Sequence, residues 1–247
     1  MTSIQSMPMA NTPERAQASA AVYRLAAAAL GHPVAELQQA FVDGRFYQAF
    51  NKAWYSITGR DWPRSVASAD FTTLETGYID VFLHGRRGQP RVHLLAGDYE
   101  ALLGGLSRSV FMLNIQAFYR HFGLRAATAD EGRHEEPDHL VAMLEFMAVL
   151  HHLEAQALER NADPGAYRRA QRDFLQRYLL PLLDAIYQNV AAEHELMLDA
   201  TLVRLIEDLP HWLRQQLGEL EVRVGAGADS SVHATERPRI LAQNLWS

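Results

Sequence analysis

The chain has 247 residues, a formal net charge of −6 at neutral pH and no cysteine. The acidic balance gives no electrostatic reason for nucleic-acid binding. The absence of cysteine excludes disulfides and thiolate metal sites and fits a reducing compartment. No apolar run of about eighteen residues is present, so no membrane span is expected, and the first dozen residues lack the pattern of a secretory signal.

The N-terminal part of the chain is predicted to be helical after a loose start over residues 1–13. Thr12 and Pro13 are typical of an N-cap and a first helical residue, and they begin an alanine-rich helix that ends at Leu30. Two short helices are predicted to follow, at about 34–42 and 45–57.

Asp70 is predicted to cap a further helix. A long helix is predicted over about 98–122, because apolar residues recur there at intervals of three and four. Gly104 and Gly105 weaken that helix by about 1 kcal/mol each relative to alanine, so a close approach, a kink or a later start all remain open. Gly123 is predicted to form a left-handed C-cap.

The C-terminal part is predicted to begin with a strongly apolar helix over 140–158. Asp163 and Pro164 are typical of another helix start, and Pro181 is predicted to kink or restart that helix. An apolar helical pattern then continues as far as Pro210.

These elements predict an all-α fold, a single helical domain over residues 14–217 in which two packed halves are joined by a hinge loop at about 126–139. No alternating strand pattern exceeds the short run 219–224. Composition predicts that residues 218–247 form a flexible C-terminal tail, although its apolar end at 240–246 is suited to docking on the body.

Five consecutive residues near the middle stand out, namely Glu135, Glu136, Pro137, Asp138 and His139. Proline suits the first turn of a helix, and a carboxylate there is stabilised by about 0.3–1 kcal/mol. A helix start explains a Pro-Asp pair but requires neither the histidine nor the two glutamates. Three carboxylates and one imidazole at one corner therefore indicate a candidate binding site.

The corner resembles a signature of the TorD/DmsD/NarJ family of redox-enzyme maturation chaperones, in which Glu-Pro-Asp-His precedes a helix. The resemblance covers roughly residues 14–210, and it departs at 86–91, where the family often has a proline or tryptophan. Four further segments resemble the family in the same order, at 78–82, 94–99, 118–124 and 174–182.

The resemblance implies a cytoplasmic, system-specific chaperone rather than an enzyme. Such a chaperone binds the molybdenum-containing catalytic subunit of an oxidoreductase, often through its twin-arginine signal peptide. It holds that subunit until the molybdenum cofactor is inserted and export follows. The motif order is nearest to the branch that serves oxidoreductases of the dimethyl-sulfoxide-reductase type. The chaperone itself, a monomer or dimer, is expected to hold no cofactor permanently.

A signal peptide with two arginines and an apolar segment requires a hydrophobic groove with acidic residues at one end. Glu135, Glu136 and Asp138 are predicted to supply the acidic end, with Pro137 and His139 beside them. For each apolar residue of the predicted groove, ordinary core packing is the alternative. The residues predicted to line the groove are Tyr78, Val81, Phe82, Leu94, Leu95 and Leu103.

A metal-dependent helical enzyme is one alternative. The pairs Glu131 with His134 and Glu136 with His139 have the Glu-x-x-His spacing of di-iron bundles. Because both pairs lie in one linker, they are too close in sequence to form opposite walls of a bundle.

The other candidate metal ligands are predicted to lie at the surface or at an interface. They are His151, His152 and Glu154, of which the two adjacent histidines point about 100° apart on a helix. The chain has no phosphate-binding loop and no Gly-x-Ser-x-Gly elbow. A helical scaffold without a client remains the third class of function.

Overall fold

The computed structural model describes residues 12–85, 88–124, 136–193 and 195–227, and these residues are predominantly helical. Among them, β-structure is limited to one isolated antiparallel bridge between Leu95 and His139. The predicted all-α fold is confirmed. The helices are α1 (Pro13–Leu30), α2 (Ala35–Val42), α3 (Arg45–Thr58), α4 (Phe71–Phe82), α5 (Glu100–Leu103), α6 (Arg108–His121), α7 (Leu140–Glu159), α8 (Gly165–Phe174), α9 (Leu180–Ala192) and α10 (Ala200–Val224).

Two helix starts that the capping residues predicted are confirmed. The Thr12 hydroxyl accepts a hydrogen bond from the backbone N–H of Arg15 at 3.3 Å, and Pro13 is the first residue of α1. The Asp70 carboxylate accepts one from the backbone N–H of Thr73 at 2.8 Å, at the start of α4. Each such cap contributes about 0.5–2 kcal/mol to stability.

The core is centred on the contact between α1 and α7, which is the most extensive contact between two helices of the described residues. The strongly apolar helix predicted over 140–158 is α7, and most of its apolar side chains are buried. One hydrophobic cluster includes residues from both sides of the predicted hinge. Of that hinge, residues 126–135 lie outside the described part of the chain. None of the described helices combines the length and the hydropathy needed to cross a membrane.

The long helix predicted over 98–122 is instead broken into α5 and α6. Gly104 and Gly105 separate the two helices with φ values of 57° and 81°, which glycine adopts without steric cost. The Ser107 hydroxyl then accepts from the backbone N–H of Val110 and caps α6. The later start is therefore the correct one of the alternatives left open. The left-handed C-cap predicted at Gly123, with φ 74°, is confirmed.

Proline has different effects at two positions of the C-terminal helices. Pro181 lies in the first turn of α9, directly after a π-helical turn over Leu175–Leu179 that joins α8 to α9. This is the predicted restart. Pro210, in contrast, lies inside α10, which continues to Val224. The buried apolar face of α10 offsets the cost of about 3 kcal/mol that an interior proline imposes.

A polar cluster is buried between α7 and α8. The Glu154 carboxylate accepts hydrogen bonds from Arg168 Nε at 2.7 Å and from Gln171 Nε2 at 2.9 Å. The prediction of a surface position is therefore wrong for His151 and Glu154, although His152 is exposed. Burial raises the pKa of Glu154, but hydrogen bonds, led by the one from His151, outweigh burial and lower the pKa to about 2.

Two truncations test whether residues 218–224 belong to helix α10 or to a tail. A chain that ends at Gly227 keeps the buried Leu220 and an ion pair between α1 and α10, whereas a chain that ends at Leu217 loses both. Burial of one leucine side chain is worth about 1.5–3 kcal/mol, and each kcal/mol shifts the melting temperature of a domain this size by about 2–4 °C, so we expect the shorter chain to melt about 3–12 °C lower. Circular dichroism measures this directly, and equal melting temperatures would contradict the helical assignment.

Candidate functional site

The Glu-Pro-Asp-His corner is anchored to the segment that precedes α5 by a short antiparallel bridge. The backbone N–H of Ala96 donates to the Asp138 carbonyl at 3.0 Å, and the N–H of Leu140 donates to the Leu94 carbonyl at 2.8 Å. The two segments are far apart in sequence, so only the fold brings them together. The first turn of α7 is thereby fixed against the loop over 94–99.

The end of α6 reaches the same corner. The Tyr119 hydroxyl donates a hydrogen bond of 2.7 Å to the Pro137 carbonyl, and burial raises the pKa of Tyr119 well above its usual value. Three of the segments that resemble the family therefore meet at one place, namely 94–99, 118–124 and the corner itself.

Asp138 is the buried centre of the corner. Its Oδ2 accepts the backbone N–H of Gly97 at 2.8 Å, whereas its Oδ1 has no hydrogen-bond partner among the described residues. Burial raises the pKa of Asp138, although the Gly97 N–H and the charge of Arg108 oppose this. A Cβ atom at Gly97 would lie 2.8 Å from Asp138 Oδ2 and 2.9 Å from Arg108 Nε. A larger residue at position 97 would therefore displace the Asp138 or Arg108 side chain.

His139 is the N-cap of α7. Its Nδ1 accepts a hydrogen bond of 3.2 Å from the backbone N–H of Val141, which requires a lone pair on Nδ1 and places the ring proton on Nε2. Burial lowers the pKa of His139 to about 4, so the imidazole is neutral at physiological pH. The sequence predicted a helix start here but not that the histidine would cap it.

The exposed edge of the corner is an ion-pair cluster centred on Arg108. Its Nη1 lies 2.7 Å from Asp98 Oδ1 and its Nη2 lies 2.9 Å from Glu136 Oε2. His93 Nδ1 lies 3.2 Å from the other oxygen of Asp98. Burial lowers the pKa of Arg108, but attraction to Asp98 and Glu136 outweighs this and raises it.

Sequence reasoning missed Arg108, Asp98 and Gly97 as members of the site. Gly97 and Asp98 lie in the segment 94–99 whose family resemblance was noted, and that resemblance is the signal that could have found them. Arg108 carries no such signal. It is the first residue of α6, where the helix dipole disfavours a cation, so no local pattern points to a role.

Most of the predicted groove residues lie in the core. Tyr78, Val81, Phe82 and Leu94 are at most 5% exposed, and the Tyr78 hydroxyl donates to the Leu30 carbonyl at 3.1 Å. They do not line an open groove in this structure, because α4 and the loop before α5 pack these side chains inward. Leu95 and Leu103 are partly exposed, and Glu135 lies outside the described residues.

An exposed apolar stripe begins beside the ion-pair cluster and runs onto α6. Leu106, just before the helix, and Val110 and Leu113 within it are 43%, 43% and 54% exposed. Val110 and Leu113 lie on the face of α6 opposite the buried Phe111 and Ile115, since successive residues are rotated by about 100°. Leu106 and Val110 are each two residues from Arg108, so the apolar stripe and the charged edge meet at this end of the helix.

A second apolar surface lies towards the N-terminal end of α1. It is a groove of about 720 Å3 between α1 and α3, and it contains none of the predicted site residues. Its lining includes Ala18, Ala21, Leu25, Ala49 and Ala53, with Glu14, Arg24, Lys52 and Glu159 as charged members. This surface provides a comparison for binding experiments on the corner.

Within the described ranges, no group of three or more histidine, aspartate or glutamate side chains is arranged to hold a metal ion. Of the two Glu-x-x-His pairs, Glu131 and His134 lie outside the described residues. Glu136 pairs with Arg108, and His139 caps α7.

The sequence matches the family model of the nitrate reductase delta subunit over residues 24–188, which is more than half of the chain. The chain belongs to this family. The resemblance to the TorD/DmsD/NarJ chaperones is thereby confirmed.

Relatives within the family are named for enzyme assembly. The chain is 48% identical over 233 residues, 94% of this chain and 93% of the relative, to the dimethyl sulfide dehydrogenase assembly chaperone protein of Rhodovulum sulfidophilum. It is 31% identical over 202 residues, 78% of this chain and 87% of the relative, to the perchlorate reductase assembly chaperone protein of Dechloromonas aromatica (strain RCB).

A third relative extends this pattern. The selenate reductase assembly chaperone protein of Thauera selenatis is 32% identical over 179 residues, 68% of this chain and 86% of the relative. These names confirm the prediction of a chaperone family rather than an enzyme family. No solved structure was found to match the chain.

The neutral His139 predicts a pH dependence of stability. Its pKa is about 4 in the folded chain against an ordinary value of 6.5, so between these values the unfolded chain binds the additional proton. The contribution of His139 to the free energy of unfolding is complete above about pH 6.5 and is lost towards pH 4, by up to about 1.4 kcal/mol per pH unit.

His139→Asn tests this effect, because asparagine can cap α7 but cannot titrate. We expect urea unfolding at about pH 7 and about pH 5 to show a smaller loss of stability in this variant than in the wild type. His152→Asn, which changes an exposed histidine of the same helix, is the control. If His139→Asn loses as much stability between about pH 7 and about pH 5 as the wild type does, His139 titrates alike in the folded and unfolded chains.

Proposed function

We propose that this protein is an assembly chaperone for the molybdenum-containing catalytic subunit of an oxidoreductase of the dimethyl-sulfoxide-reductase type. The observation that carries this proposal is the identity of 48%, over almost the whole length of both chains, to a protein named as a dimethyl sulfide dehydrogenase assembly chaperone. Family membership supports the same role. The chaperone acts in the cytoplasm, before its client is exported.

The client's twin-arginine signal peptide binds at the corner. Asp98 and Glu136 supply carboxylates that already accept a guanidinium group in this structure, and both are partly exposed. The stripe of Leu106, Val110 and Leu113 supplies an apolar surface that begins at the same helix end. A peptide with a basic front and an apolar middle fits this order of charged and apolar surface.

The residues of the corner differ in what they contribute. Glu136 is exposed and contacts the client directly, as does Glu135 from its neighbouring position in the sequence. Asp138, Pro137 and His139 are largely buried, and they act by holding the loop over 94–99 against α7. Tyr78, Val81, Phe82 and Leu94 support this arrangement from the core, whereas Leu95 and Leu103 are accessible to the peptide.

The chaperone assists cofactor insertion without binding the cofactor permanently. While the signal peptide is held, the client remains unexported and open to the molybdenum cofactor. The acidic net charge of −6 also favours the basic front of the peptide over acidic competitors. Release then depends on contacts that are individually weak, because exposed ion pairs are worth only about 0–1 kcal/mol each.

Peptide binding tests the location of the site. We expect a synthetic peptide with two adjacent arginines ahead of an apolar segment to bind in calorimetry, and binding should weaken only partly with salt. Exposed ion pairs are screened over a Debye length of about 8 Å, whereas burial of apolar area, at about 25 cal/mol per Å2, resists salt. Replacing both arginines by lysine loses the bidentate fork and should weaken binding.

Two chaperone variants separate the candidate surfaces. Val110→Asp on α6 should weaken binding of that peptide about tenfold or more, because it puts a charge on the apolar stripe. Ala21→Asp, in the groove between α1 and α3, should leave binding unchanged. The opposite result would move the peptide to the α1–α3 groove, and no binding to the wild type would remove signal-peptide recognition from the proposed function.

Client activity in cells tests the role in maturation. Glu136→Gln is nearly isosteric and exposed, so we expect it to leave the melting temperature within about 1–2 °C of wild type while it lowers client activity. Glu36→Gln on α2 removes the same charge from an exposed position and is the control. If both variants support equal activity, Glu136 has no part in client recognition.

A further inference from the structure

Arg108 forms a single bridge between two carboxylates that come from different segments. One guanidinium group spans Asp98, in the turn before α5, and Glu136, in the corner, through separate nitrogens. The side chains of Arg108, Asp98 and Glu136 are 40%, 23% and 50% exposed. The spacing of the carboxylates is therefore one that a planar, forked cation matches, and solvent can reach the bridge.

The bridge contributes little to holding the corner together. The backbone bridge between 94–96 and 138–140, the Tyr119 hydroxyl and the Gly97 N–H all join the same segments without Arg108. Exposed ion pairs add little stability, and a cation in the first turn of α6 opposes the helix dipole. An arginine at position 108 is therefore locally unfavourable and is not needed to join these segments, yet it fills the acidic edge.

We propose that Arg108 is an internal competitor that occupies the guanidinium position of the signal-peptide site until a client arginine displaces it. This inference rests on the proposed function and deepens it. Arg108 is at the start of α6, and its side chain has several rotatable bonds. The guanidinium group can therefore rotate into solvent when a client arginine forms ion pairs with Asp98 and Glu136. Binding then replaces the ion pairs of Arg108 with ion pairs of the client arginine, so the number of ion pairs at the site does not increase.

This exchange lowers the apparent affinity of the site. The net gain from each client arginine is small, which keeps the complex reversible and suits a chaperone that must release its client. A client lysine meets the same competitor, and it binds less well because a single point charge cannot bridge the two carboxylates as a planar guanidinium does. Arg108 thus sets the apparent affinity of the site, whereas the spacing of the two carboxylates sets its preference for arginine.

Arg108→Gln is the direct test, with acetyl-diarginine amide as the probe. We expect the variant to bind this probe about fivefold or more tightly than the wild type, because a competing unit charge is removed from within a few ångströms. Arg120→Gln removes the same charge from the C-terminal turn of α6 and should leave probe binding within about twofold of wild type. Acetyl-dilysine amide should bind more weakly than the arginine probe to both proteins but gain by a similar factor in Arg108→Gln, because both probes displace the same competitor.

A double-mutant cycle makes the test independent of folding defects. In a chain that carries Asp98→Asn and Glu136→Gln, the additional change Arg108→Gln should no longer alter probe affinity, because the shared partners are gone. Arg108→Lys, which keeps the charge, should lie between wild type and Arg108→Gln. Melting curves identify any variant that does not fold, and the remaining variants still complete the comparison.

The outcomes separate this inference from the proposed function. If Arg108→Gln binds the probe no better than wild type, or less well, the competitor role is overturned, whether or not the full signal peptide binds. If Arg108→Gln gains affinity for the probe but no arginine-bearing apolar peptide binds either protein, Arg108 competes for a guanidinium site, and that site is not one for signal peptides. If Arg108→Gln and Arg120→Gln both bind the probe more tightly than the wild type, the result shows only a general effect of net charge and also overturns the inference.

Discussion

The packing of α1 against α7 is the contact on which the rest of the fold depends. α7 is apolar around most of its circumference and is stable only if it is enclosed, and the alanine-rich α1 lets it lie close to a neighbour. At the end of this contact, Gly31 lies beside Val141, and the Tyr78 hydroxyl binds the last carbonyl of α1. The start of α7, and with it the corner, is therefore positioned by the core.

The corner carries an energetic cost that the core compensates. A buried carboxylate oxygen without a partner costs about 1–3 kcal/mol, and Oδ1 of Asp138 has none in the part of the chain that the structure describes. His139 caps α7 only in its neutral form. At Gly97 the absence of a side chain lets the Asp138 and Arg108 side chains approach the backbone closely. Departures from local stability at one place, in an otherwise well-packed domain, are typical of a functional site.

The corner has a buried part that is held by hydrogen bonds and an exposed edge of ion pairs. This arrangement is consistent with the reversible recognition of the proposed function. The backbone bridge, Tyr119 and Asp138 fix the shape of the corner and are shielded from water. The side chains of Asp98, Arg108 and Glu136 are partly exposed, so their ion pairs are weak and sensitive to salt. In the proposed function, such an edge guides encounter and selects charge, whereas the apolar stripe beside it supplies contact area.

The sequence by itself determined the all-helical class, the starts of α1 and α4 and the helix that follows the Glu-Pro-Asp-His corner. Capping by Thr12 and Asp70 is decided within one helical turn, and apolar periodicity along a helix is also a local property. The sequence suggested a break at Gly104 but could not decide between a break, a kink and a close approach. Glycine permits a left-handed conformation without requiring it.

Only the tertiary structure decided the features that depend on distant segments. α10 continues through Pro210 because its apolar face is buried against other helices, which outweighs the local preference to stop. Phe82 and Leu94 lie in the core because the loop before α5 is bound to the start of α7. Arg108 joins the site because Asp98 and Glu136 are brought to it across the fold, and no pattern within one segment records contacts between segments far apart in the chain.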